Sequence, residues 1–224
     1  MPKWVKFIIA ILLLPICFGA IHALWLVFRG IGGADRTLVP MLAGAACWIC
    51  IFVLLPKPMW IYVFGHELTH ALWVWLMGGR VSRFKVGREG GHILTDKNNF
   101  LIALAPYFFP LYSILVIALY GALSLFVNMQ PYGRLLYALI GGTWAFHLTF
   151  TCWMIPKNQS DLSDNGTIFS LVVIYLIHLL LLSAMLIIAS PHITFASFGA
   201  DILRNIANFS HAIVGLCERF SRGP

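Results

Sequence analysis

Hydrophobic positions in this chain run in long blocks separated by short polar breaks. Six such blocks stand out, at about Phe7–Phe28, Leu38–Leu55, Pro58–Met77, Phe100–Val127, Gly133–Ile155 and Thr167–Ile188. Most approach the roughly 20 residues that an α-helix needs to cross a hydrocarbon layer of about 30 Å, so the pattern predicts six transmembrane helices. The Pro56-Lys57-Pro58 corner is expected to fold the second and third into a helical hairpin, and Pro106 and Pro110 to bend or break the start of the fourth. Lys3 and Lys6 precede the first block, which begins like a signal peptide but is too long for one and has no evident small-residue cleavage site. It is therefore expected to be a span.

The breaks carry two further elements. Between the third and fourth blocks, Gly79–Asn99 is the most polar stretch. In it Val81-Ser82-Arg83-Phe84-Lys85-Val86 partly alternates and Gly90-Gly91 precedes Ile93-Leu94, which predicts a small β-hairpin at the membrane surface. Beyond the last block, Ile202, Leu203, Ile206, Phe209, Ile213, Leu216 and Phe220 recur at helical spacing, while Asp201, Arg204, Asn205, Asn208, Glu218 and Arg219 take other positions. That is an amphipathic helix, lying either on the lipid surface or against the bundle or a partner. The predicted fold class is an all-α polytopic membrane protein with one small hairpin, divided into an N-terminal hairpin of spans (1–57), a core (58–190) and an amphipathic tail (191–224).

Composition agrees. Of 224 residues 60% are hydrophobic and 10% charged, where a soluble domain has about 25% charged residues. This excludes a water-soluble globule and predicts a multi-pass protein with the lipid bilayer as a partner. The net charge of +7 comes from Lys and Arg scattered between apolar blocks, as juxtamembrane anchors are, and so argues against nucleic acid. Cys47 and Cys50 form a CxxC, but inside an apolar helix thiols behave as small hydrophobes. No internal repeat of the kind common in secondary transporters is present.

Chemistry enters with the acids. Asp35, Glu89, Asp96, Asp161, Asp164, Asp201 and Glu218 lie in loops, segment ends or the tail; Glu67 alone sits mid-block. An ionisable group at the bilayer centre costs about 3 kcal/mol on insertion scales and marks a functional site by default. It belongs to Gly65-His66-Glu67-Leu68-Thr69-His70, an HExxH. Helical residues four apart differ by about 40° in direction, so His66 and His70 share a face and can grip one zinc ion, with Glu67 beside it as general base. Catalytic zinc takes three protein ligands and keeps one position for water. Asp161, Asp164, His147 and His178 are available as the third. Asp161 is preferred, because Asp164-Asn165-Gly166 reads as a turn before the last span and the two histidines suit bundle positions, His147 as a possible neighbour of the ligands. Asp164 remains the alternative.

Taken together, Gly65-His66-Glu67-Leu68-Thr69-His70-Ala71-Leu72, the Gly-rich basic stretch from Gly78-Gly79-Arg80 to Gly91, the segment Leu104-Ala105-Pro106-Tyr107-Phe108-Phe109-Pro110 and a downstream aspartate resemble the site-2 protease type of intramembrane zinc metalloproteases. The resemblance covers roughly residues 58–190. It implies zinc held by two histidines of one helix and an aspartate of a later one, and hydrolysis of peptide bonds in a membrane-protein or transmembrane-peptide substrate, as in regulated intramembrane proteolysis. In place of the family's Asn-Pro-x-x-Asp-Gly the chain carries Gln159-Ser160-Asp161-Leu162 and Ser163-Asp164-Asn165-Gly166, and it has no inserted peptide-binding domain, like the compact members. The family also implies that Val81–Val86 holds extended substrate by main-chain pairing. Pro106, Pro110 and the Asn158–Gly166 loop are expected to wall a polar inlet for water.

Overall fold

The computed structural model describes residues 1–224 apart from 31–36, 88, 89, 158, 190–193 and 222–224; the side chains of 212–214 and 216–221 also lie outside the description. In chain order the elements are α1 (Lys3–Gly30), α2 (Leu38–Leu54), α3 (Met59–Leu76), β1 (Val81–Val86), β2 (Gly91–Thr95), α4 (Phe100–Phe108), α5 (Leu111–Ser124), α6 (Gly133–Met154), α7 (Ser160–Asn165), α8 (Thr167–Ala189) and α9 (Phe195–Ser221). The chain is thus mostly helical, with one two-stranded antiparallel hairpin.

The expected elements are present, but the expected count of six separate spans is corrected. Among the described residues three helical stretches, Lys3–Gly30, Gln130–Lys157 and Thr167–Ile188, are long and apolar enough to cross a membrane alone. Two bent pairs, α2 with α3 at 119° and α4 with α5 at 72°, raise the number among the described residues to as many as five if each pair makes one span. Length and polarity explain the difference. At 1.5 Å per residue α2 reaches only about 26 Å, and α3 devotes His66, Glu67, Thr69 and His70 to polar groups. Pro110 sits at the α4–α5 break, as expected; Pro106 lies inside α4 without ending it.

The packing divides into two compact units, one made of Met1–Gly32 with Asn165–Pro224 and the other of Gly33–Asp164. In the first, α1 packs on both α8 and α9. Gly19 brings the α1 backbone against Ile202 and Ile206, and the Phe18 and Phe209 rings lie 4.8 Å apart. The apolar stripe of α9 is therefore covered by this chain's own α1 along that stretch, which selects bundle packing there over a bare lipid surface. The side chains of Ile213, Leu216, Glu218, Arg219 and Phe220 are outside the described residues. Lys6, expected as an interfacial anchor, is instead buried, and its Nζ donates to Asn165 Oδ1 at 2.6 Å. A buried ammonium is tolerated only with such a partner.

In the second unit the α2–α6 pairing is the most extensive. It depends on missing side chains: a Cβ on Gly44 would collide with the Ala138 carbonyl, and one on Gly141 with the Met41 carbonyl. Small residues of this kind let apolar helices approach until their backbones touch. An aromatic cluster of Tyr62, Phe146 and Phe150, with Trp48 and Phe52 against it, ties α3 to that pair and fixes the base of the helix that carries the HExxH.

Candidate metal centre

The site grows out of the middle of α3. Thr69 Oγ1 bonds back to the Gly65 carbonyl at 2.7 Å, satisfying its hydroxyl within the helix. Gly65 leaves space for the Tyr112 ring, whose hydroxyl donates to the Ile61 carbonyl at 2.6 Å. The His66 and His70 rings meet edge to face, 4.8 Å between centroids. Both are held at Nδ1: His66 Nδ1 pairs with the Tyr62 hydroxyl at 3.2 Å, and His70 Nδ1 donates to the Ile102 carbonyl at 2.9 Å. That carbonyl is on offer for a local reason. In an α-helix the oxygen of residue 102 would accept from the N–H of residue 106, and residue 106 is proline. Asn99 caps the same helix, its Oδ1 accepting from Leu101 N and Ile102 N.

With Nδ1–H committed to Ile102, His70 presents Nε2 as a lone pair, the tautomer that binds metals. Asp161 completes the set from α7. Its Oδ2 lies 3.5 Å from His66 Nε2 and 3.5 Å from His70 Nε2, and one ligand atom from each of the three residues falls within 4.8 Å of the others. Ligands about 2.1 Å from a tetrahedral centre stand about 3.4 Å apart, so the spacing suits an ion gripped by all three. The donor set, two imidazoles and one carboxylate, is also a catalytic zinc set. The three ligand atoms, one from a buried and two from partly buried residues, could hold a cation between them. Burial alone would raise the Asp161 carboxyl, but the two imidazoles outweigh it and hold it well below the usual carboxylate range.

The other candidates lie elsewhere. Asp164 is exposed, and it is not part of the cluster. It sits near the end of α7, which stops where Gly166 takes φ of +88°, so the stretch expected as an irregular loop is a helical turn with a glycine exit. His178 belongs to the other unit, where its Nδ1 donates to the Ile174 carbonyl at 2.8 Å. His147 is not a ligand in the cluster; it lines a cavity of about 20 Å3 that also touches His66, Tyr62, Thr69 and Pro106. That is room for about one water. Of the expected inlet, Asn158 is outside the described residues.

Glu67 is buried beside the histidines, and the hairpin covers it. A Cβ on Gly91 would come within 2.6 Å of Glu67 Cγ. The pairing runs Arg83 to Leu94, Phe84 to Ile93, Lys85 to His92 and Val86 to Gly91, with an irregularity between Val81 and Arg83. Along β1 a cavity of about 430 Å3 is lined by Phe64, Leu68 and Trp75 of α3 and by Ser82 and Phe84 of the strand among others, and the Phe64 and Phe84 rings meet edge to face at 6.2 Å.

Sequence reasoning missed four contributors: Tyr62, Ile102, Tyr107 and Gln159. Tyr107 is fully buried, its hydroxyl reaching Asp161 Oδ2 at 3.1 Å and Gln159 at 3.3 Å. Tyr62 had a readable signal, since it stands one helical turn before His66. The Ile102 role was readable only to someone who already knew that α4 faces α3. No family model, no curated protein and no solved structure matches the chain.

Proposed function

We propose that the protein is an intramembrane zinc metallopeptidase that hydrolyses peptide bonds of membrane-embedded substrates. The reading rests on one observation: the two HExxH histidines and Asp161, far apart in sequence, bring three ligand atoms within 4.8 Å, with Glu67 on the same helix. Zinc at that point would supply a Lewis acid that acidifies water and polarises a carbonyl. His66, His70 and Asp161 would hold the ion. Glu67 takes the proton of the attacking water as the new carbon–oxygen bond forms, and returns it to the peptide nitrogen as the carbon–nitrogen bond breaks. An extended segment of substrate lies in the cavity lined by β1 and α3, where it can pair with the main chain of β1; an unwound peptide offers its carbonyls, which a helical one keeps in its own ladder. The apolar helices are the scaffold that keeps this chemistry inside the bilayer.

The test is Glu67→Gln in the full chain, reconstituted in vesicles with a fluorogenic peptide that carries one apolar helix. The expected result is stoichiometric zinc in both proteins and cleavage lost by about 100- to 10,000-fold in the variant, the span typical of a general base. Cleavage that persists in the variant, or purified wild type without zinc, overturns the reading.

A further inference from the structure

The geometry points to Tyr107 as the positioning residue for the Asp161 carboxylate, acting through a one-way chain of hydrogen bonds that begins at Gln159. The inference rests on the metallopeptidase reading and extends it. Tyr107 sits in α4 directly after Pro106, with no exposed surface, and its ring meets the His66 ring edge-on at 5.2 Å. Its hydroxyl has one proton and, among the described residues, lies within hydrogen-bond distance of Asp161 Oδ2 at 3.1 Å and the Gln159 amide at 3.3 Å. A carboxylate can only accept, so the proton goes to Asp161. A half-turn of the Gln159 amide then sets an N–H against the Tyr107 oxygen, and every group is satisfied: Gln159 donates to Tyr107, and Tyr107 donates to Asp161.

The atom that receives this proton is the one that matters. Oδ2 is the Asp161 oxygen 3.5 Å from both histidine Nε2 atoms. With Tyr107 donating to it, that oxygen is held in direction beside the two rings between which a cation would sit. Tyr107 is itself fastened by its backbone carbonyl, which accepts from Thr151 Oγ1 of α6 at 3.4 Å. The result is a carboxylate on a short six-residue helix, locked in direction by a rigid phenol on a neighbouring helix.

The experiment titrates Zn2+ into the detergent-solubilised full chain as wild type, Tyr107→Phe and Gln159→Glu, and records the visible spectrum of each Co2+-loaded form. Phe keeps the ring packing and removes only the hydroxyl. Glu, ionised, accepts where Gln donates and draws the Tyr107 proton away from Asp161. The expected outcome is zinc affinity lowered about 10- to 100-fold in both variants, the usual loss when a ligand's hydrogen-bond partner is removed, with an altered cobalt spectrum and a metal-free melting temperature close to wild type. Unchanged zinc affinity and cobalt spectrum in Tyr107→Phe overturn the assignment of Tyr107, and a Gln159→Glu protein that binds zinc like wild type overturns the direction of the chain. Wild type that binds no zinc overturns the metallopeptidase reading itself, a different result from either.

Discussion

His70 Nδ1 donates to the Ile102 carbonyl across 2.9 Å, and that carbonyl is open because residue 106, which would otherwise claim it, is Pro106. A proline that reads as a helix break thus serves as an acceptor-maker: it withholds one N–H so that an imidazole can be oriented. Replacing it with alanine restores the helical bond and draws the carbonyl back along the α4 axis. Pro106→Ala is expected to weaken zinc binding by about 10-fold, the low end for an outer hydrogen bond to a ligand, without lowering the melting temperature, since alanine is the better helix former. Zinc titration and thermal unfolding on the same sample check it; undiminished affinity shows that the helix and the histidine share the carbonyl.

Gly91 stands where Glu67 needs space. A methyl group there meets Glu67 Cγ at 2.6 Å and the Lys85 carbonyl at 2.7 Å, so either the hairpin lifts or the carboxylate swings. Gly91→Ala is expected to cost about 1–3 kcal/mol of overpacking and to cut peptide cleavage while zinc affinity stays near wild type, because the atoms a methyl group there meets first belong to Glu67 and Lys85 and not to a ligand. Turnover and metal content measured side by side give the answer, and a fully active variant contradicts this reading of the hairpin.

The α2–α6 contact makes a graded prediction. Gly44 and Gly141 each face a carbonyl of the opposite helix with no space for a Cβ, a Cβ on Gly142 would lie 3.4 Å from the Gly44 carbonyl, and one on Gly121 would have nothing beyond its own helix within 4 Å. Alanine at 44 or 141 is expected to destabilise by more than about 3 kcal/mol, the top of the overpacking range, and alanine at 142 by much less. At 121 it is neutral or stabilising by up to about 1 kcal/mol, the helix propensity gained over glycine. Denaturation of the four variants in one detergent ranks them; equal losses at 121 and 141 contradict the close packing.

Metal removal and the two aspartates separate the ligand from its neighbour. Zinc at about 100 times its dissociation constant adds about 2.7 kcal/mol to the stability of a protein that binds it only when folded. Chelation is expected to lower the melting temperature of wild type and of Asp164→Asn alike, and to leave His66→Ala and Asp161→Asn, which have no bound ion to lose, almost unmoved. A chelator-sensitive Asp161→Asn, or an insensitive Asp164→Asn, would exchange the roles of the two carboxylates.

Much of this was legible in one dimension. The apolar blocks, the hairpin at Val81–Val86 with Gly91–Thr95, the amphipathic tail helix and the paired histidines around Glu67 all depend on periodicity and local spacing, which a chain carries in its residue order. Asp161 was preferred over Asp164 by a local argument too, that Asp164-Asn165-Gly166 reads as a turn before the last span and gives Asp164 a turn to make. What residue order does not carry is direction between distant elements. Whether 17 residues of α2 cross a bilayer or turn through 119° into α3 depends on how Pro56-Lys57-Pro58 is packed, and no periodicity encodes it. Likewise Tyr107, Ile102 and Gln159 matter only because α4 and α7 converge on the open face of α3. Hydrogen bonds of about 3 Å are decided by that convergence, so the chemistry of the site was written in the sequence and its support was decided by the fold.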